Sequence, residues 1–196
     1  MTAKQWWIVF WLRAAYMFRL RWPFIWLQRW AKGELKAKRK PVMTFETPNQ
    51  LATYAMARFK YRKDQGRIGG WVFALDWVTD PQVFQARLED TNSTERDGDC
   101  DDYHFWAATA LKKIDGVRRI YLLSTGYKGG GHATVVYEYR GAWYHLDYRI
   151  YSISNPNRAP KQVAGKYSNG EVLFWVFESV DPPWRPVAIF PDRLEV

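Results

Sequence analysis

At 196 residues, with 47% hydrophobic and 18% aromatic content, the chain can bury one packed domain and carry an appendage, and neither figure suggests disorder. Residues 1–40 hold ten Lys/Arg against one acid, Glu34, while residues 41–196 hold nineteen of each sign. The whole +9 excess therefore belongs to an N-terminal arm, and no specific nucleic-acid partner is expected. A single cysteine excludes an intramolecular disulfide and a Cys-rich zinc finger.

The chain divides near residue 41, into an arm (1–40) and a folded domain (41–196). In the arm, Trp6, Trp7, Trp11, Trp22, Trp26 and Trp30 are interleaved with Arg13, Arg19, Arg21 and Arg29. A transmembrane helix needs about 20 mostly apolar residues, and Arg13 interrupts the first run too early. A signal peptide fits poorly, because no small-residue cleavage site follows that run. Tryptophan and arginine together suit the lipid headgroup region, so the arm reads as an interfacial membrane segment, helical and broken near Pro23. The other reading is an arm that docks on a partner protein or on its own domain. Residues 32–40 (AKGELKAKRK from Ala31) form a basic linker that favours anionic lipid.

In the domain, Thr47-Pro48-Asn49-Gln50 predicts a helix start with a capping box, and the spacing of Leu51, Tyr54, Ala55 and Arg58 extends the helix over 48–61. Gly66, Gly69 and Gly70 open a loop. Asp80-Pro81 starts a short helix over 81–88, and a polar loop over 90–98 follows. Asp99 is the N-cap of a third helix that runs to about Lys113, closed by Gly116. Strands are predicted over 119–124, 132–139, 142–148 and 171–178, with a tight turn at Arg140-Gly141. Residues 154–170, rich in Asn, Pro and Gly, read as a loop, and the proline-rich tail from Asp181 as a surface wrap. Helices first and strands later predict an α+β domain on an antiparallel sheet.

The chemistry centres on Cys100. As the first residue after an N-cap it meets unpaired backbone N–H groups, whose field lowers a thiol pKa and can hold an oxyanion. Asp101 and Asp102 oppose a thiolate, so a nearby cation is needed. His132 can supply it, opening a strand after Gly129-Gly130-Gly131. Asp147 lies across the Arg140-Gly141 hairpin, within side-chain reach of His132, and would orient the imidazole. The bland readings are a small buried cysteine, a strand-end histidine and a turn aspartate. Three acids around the thiol argue against the first. His145 reads as structural or cleft-lining. A zinc site of Cys100, His104 and His132 is a further reading, but it lacks a fourth ligand.

The stretch Gly98-Asp99-Cys100-Asp101-Asp102-Tyr103 resembles the nucleophile motif of bacterial transglutaminase-like cysteine proteinases. Gly131-His132-Ala133 and Gly141-Ala142-Trp143-Tyr144-His145-Leu146-Asp147 resemble the rest of a transglutaminase core. The resemblance spans roughly residues 98–148. It implies a papain-like fold with N-terminal helices on an antiparallel sheet, and Cys100 as nucleophile, His132 as base and Asp147 as its orienter. It also implies an upstream oxyanion residue, for which Gln65, Trp71 and Trp77 are the candidates. The expected function is acyl transfer through a Cys100 thioester, most simply peptide or amide hydrolysis of a protein or peptide substrate. No cofactor or metal is expected. The alternative is a catalytically silent fold that serves as an interaction or membrane-docking module.

Overall fold

A computed structural model describes residues 2–3, 6–11, 36–61, 79–90, 97–180 and 186–195. Three local signals start three helices. Helix α1 (Pro48–Arg58) begins where the Thr47 side chain accepts from the Gln50 amide at 3.3 Å. The Gln50 side chain reaches back to the Glu46 amide at 2.9 Å, one residue before the expected box partner. Helix α2 (Pro81–Glu89) is capped by Asp80, and helix α3 (Cys100–Leu111) by Asp99. In α1 and α2, proline stands at the start of the helix, where a missing N–H costs nothing. Gly116, with φ +79°, turns the chain after α3.

Helix α1 stops at Arg58, not at residue 61. Phe59 turns extended and packs its ring against Phe84, Tyr103 and Tyr148. Lys60–Tyr61 (β1) then pairs in parallel with Asp97–Gly98 (β2), which places a short ribbon directly before α3. Most of the expected 90–98 loop, together with Gly66, Gly69 and Gly70, lies outside the described residues.

Helix α3 is the axis of the domain, with ten of its twelve residues buried. Gln85 of α2, itself fully buried, ties the layer together. Its carbonyl accepts from Met43 N (3.1 Å) and Trp106 Nε1 (2.9 Å), and its amide donates to Tyr54 (3.3 Å) and Glu89 (2.6 Å). A buried amide is tolerated because its hydrogen-bonding capacity is used.

The helices cover an antiparallel sheet of β3 (Val117–Tyr127), β4 (Gly130–Tyr139), β5 (Ala142–Asp147), β6 (Arg149–Ile153), β7 (Val172–Ser179) and β8 (Pro186–Ile189). Its order is β6-β5-β4-β3-β7-β8. The β4–β5 turn has Arg140 at φ +51° and Gly141 at φ +81°, the left-handed pair that a two-residue hairpin requires. Alternation along β4 divides the core. Val135 and Tyr137 join Trp106, Leu111 and Leu146 under α3, whereas Val136 joins Leu123, Phe177 and Ala188 on the other face.

Two expectations are corrected. Residues 154–170 are not a loop: a 3₁₀ turn (Pro156–Arg158) leads into helix α4 (Ala159–Tyr167), which buries Ala159, Pro160, Val163 and Ala164. Small side chains let α4 approach closely although its composition resembles a loop. The tail does not merely wrap the surface. Residues 186–189 form edge strand β8, where Pro186 at the first position costs no ladder bond. The fold is α+β with a helix inserted between β6 and β7.

Of the arm, residues 6–11 are helical. Val9 is buried against Val176 of β7 and Ile189 of β8, so this segment packs on its own domain. The expected break near Pro23 lies outside the described residues.

Candidate active site

Asp99 holds the start of α3. Its carboxylate accepts from the Asp101 amide at 3.3 Å, and its carbonyl accepts from the Tyr103 amide at 3.2 Å. Cys100 is thereby fixed as the first helical residue, half-buried. Gly98 is required by contact, not by its dihedral angles. A Cβ there would lie 2.8 Å from the Phe84 ring and 2.9 Å from an Asp102 carboxylate oxygen. Asp102 is a structural anchor: its buried carboxylate accepts from the Thr79 amide at 2.6 Å.

The Cys100 sulfur meets β4, where the Ala133 amide donates to Sγ at 3.5 Å. An N–H pointed at sulfur favours the thiolate. His132, the neighbouring residue, is buried, and its Nε2 lies 2.7 Å from Asp147 Oδ1. The β4–β5 register pairs Val135 with Leu146 and Val136 with His145. Continued by one residue, it sets Asp147 opposite Thr134, so His132 and Asp147 are diagonal neighbours. The carboxylate fixes the imidazole proton on Nε2 and leaves Nδ1 as the basic nitrogen.

Asp147 has two further donors, both from α4. Lys166 Nζ lies 2.6 Å from Oδ2, and the Tyr167 hydroxyl lies 3.0 and 3.3 Å from the two oxygens. Burial pushes the Asp147 pKa up, but the hydrogen bonds from His132 and Lys166 outweigh it and hold the carboxyl well below the usual range. The Tyr167 pKa is raised to about 12, first by burial, so its hydroxyl stays a donor. Its ring lies 4.3 Å from the His132 ring between centroids and stacks on Tyr127 at 6.1 Å. Tyr167 therefore both covers the imidazole and bonds its partner. Neither Lys166 nor Tyr167 was expected at the site. The signal that could have found them is Asn155-Pro156, the same cap-plus-proline pattern that opens α1 and α2.

The other side of His132 is aromatic. His104 stands at 5.7 Å and Tyr148 at 5.8 Å. Tyr148 has φ +58°, a left-handed conformation that swings its ring inward over Tyr103 and His104. Burial is the main cause that pushes the Tyr148 pKa up. His104 Nδ1 donates to the Cys100 carbonyl at 2.5 Å, and burial, with His132 beside it, lowers its pKa to about 3. His104 is thus a neutral packing residue that braces the first turn. His145 is likewise buried, bonded to Gln162 at 3.0 Å and lowered to about 4 by burial.

The zinc trio does not assemble. His104 is turned to a backbone carbonyl and His132 Nε2 to Asp147. Among the described residues, the side-chain atoms that cluster with the thiol belong to Asp99 and Asp101. Gln65, Trp71 and Trp77 lie outside the described residues.

A thiol at a helix start, an imidazole and a carboxylate come from one helix and two adjacent strands, in that chain order. The family model of a transglutaminase-like domain matches residues 32–167. The chain belongs to this transglutaminase-like family. The match ends on Tyr167 and so takes in Cys100, His132, Asp147 and Lys166 as well. A transglutaminase-like domain goes with a papain-like core and with thiol acyl transfer as a class of chemistry. No curated protein and no solved structure matches the chain.

Proposed function

We propose that the protein cleaves peptide or amide bonds through a thioester on Cys100, with His132 as base and Asp147 as its orienter. The observation that carries this reading is the His132–Asp147 bond of 2.7 Å, one residue from the amide that touches the Cys100 sulfur. With Nε2 committed to the carboxylate, Nδ1 remains to take the thiol proton. The thiolate attacks the substrate carbonyl carbon, and the carbonyl electron pair moves to oxygen. Collapse of that oxyanion forms the thioester and breaks the C–N bond, and the imidazolium gives its proton to the departing amine. Water, deprotonated by His132, then attacks the thioester. The acid forms, and the thiolate and imidazolium are restored. Transfer to an amine in place of water is the same chemistry.

Asp99 and Asp101 beside the sulfur work against the thiolate. The offset comes from the imidazolium, the helix start and the Ala133 amide.

The test is the pH dependence of iodoacetamide labelling read by intact mass, since one cysteine makes every adduct report on Cys100. An apparent pKa well below the free-thiol value of about 8.5 is expected. His132→Ala should slow labelling at neutral pH by a large factor, and Asp147→Ala by less. Equal rates in the three proteins, or a thiol that reacts only at high pH, sink the proposal and leave the interaction-module reading.

A further inference from the structure

We propose that residues 6–11 form a docking face for an anionic lipid bilayer, with Trp7, Phe10 and Trp11 as the residues that enter the interface. The segment is helical, and at about 100° per residue these three side chains share one face while Val9 lies roughly opposite. Exposure follows that geometry. Val9 is 4% exposed against Val176 and Ile189, whereas Trp7, Phe10 and Trp11 are 62%, 51% and 55% exposed. The domain thus holds the helix by one side and turns the aromatic side to solvent.

The three rings already pack on each other, Trp7 with Phe10 at 6.1 Å, Trp7 with Trp11 at 5.6 Å and Phe10 with Trp11 at 5.7 Å. They form a preassembled aromatic wedge. Trp6 adds to its rim, 63% exposed. Amphipathic rings of this kind settle at headgroup depth, apolar body inward and N–H toward water.

Charge selects the occupant. Residues 1–40 carry ten Lys/Arg and one acid, while the remainder of the chain is balanced. Lys36, Lys38 and Arg39 are exposed where the arm meets the domain. A surface of anionic lipid complements both the rings and this excess. A second copy of the chain would bring the same positive excess face to face with itself, so pairing of two copies is disfavoured. Among the described residues no helix is long and apolar enough to cross a membrane.

Full-length protein, wild type and Trp7→Ser/Trp11→Ser, is sedimented with vesicles of phosphatidylcholine alone or mixed with phosphatidylglycerol. Wild type should pellet with the anionic vesicles, weakly with the neutral ones, and less at about 0.5 M NaCl. The double variant should bind anionic vesicles about tenfold more weakly or worse, with its thermal unfolding and Cys100 labelling unchanged. Two results overturn the proposal: undiminished vesicle binding by the double variant, or no vesicle binding by wild type. A concentration-dependent dimer in light scattering that the double variant loses, without lipid binding, assigns the face to a second copy instead.

Discussion

At the scale of single residues, the site is organised around the Asp147 carboxylate more than around the thiol. Three donors from two elements converge on two oxygens, and that explains why a buried carboxyl remains ionised. Tyr167 matters for its ring as well as its hydroxyl. Replacing it by alanine opens the His132–Asp147 bond to water on the side where the ring lies 4.3 Å away. Tyr167→Ala should therefore slow neutral-pH alkylation of Cys100 by about tenfold or more, whereas Tyr167→Phe, which keeps the ring, should cost about threefold or less. Iodoacetamide kinetics on the two variants separate the contributions. Equal losses would show that the hydroxyl, and not the cover, is what counts.

At the scale of elements, legibility followed range. Cap signals are local, so Thr47-Pro48, Asp80-Pro81 and Asp99 could be read directly, and with them the placement of Cys100 at a helix start. Alternation and a two-residue turn gave β4 and β5, and hence the nearness of His132 and Asp147. Helix α4 went unread despite the Asn155-Pro156 start signal, because its buried residues are Ala159, Pro160, Val163 and Ala164, with Gly165 inside it. Those buried positions keep helical spacing, but small side chains make that face hard to tell from a loop. Strands β6 and β8 are short edge strands with little alternation to read. The ribbon ahead of α3 yields a prediction of its own. Gly98→Ala drives a Cβ toward the Phe84 ring and the Asp102 carboxylate, and Asp102 in turn holds Thr79. The change should destabilise the protein by about 1–3 kcal/mol in urea unfolding and also slow Cys100 labelling, because the start of α3 moves. Loss of stability with unaltered labelling would uncouple the two.

At the scale of the whole molecule, acid should be the denaturing direction. His104 and His145 titrate near 6.5 when unfolded, but burial lowers them to about 3 and about 4 in the folded protein. Between pH 6.5 and about 4 the unfolded chain binds more protons, so stability falls as pH falls. Asp147, ionised in the fold, adds stability above the ordinary carboxyl value of 3.8 that is lost as pH drops further. Calorimetry should show the unfolding temperature declining from pH 7 to pH 4. His104→Gln/His145→Gln should have a flatter profile over that window, whatever its absolute stability. Identical slopes would place the acid sensitivity elsewhere. The order of the site along the chain also has a consequence in time. Cys100 is synthesised well before the helix that carries Lys166 and Tyr167, and β3 likewise precedes its sheet neighbour β7. At about 5–20 residues per second, several seconds separate the emergence of the thiol from that of its last supports. A nascent chain therefore carries Cys100 out of the ribosome before the strands and the helix that surround it in the fold have been made.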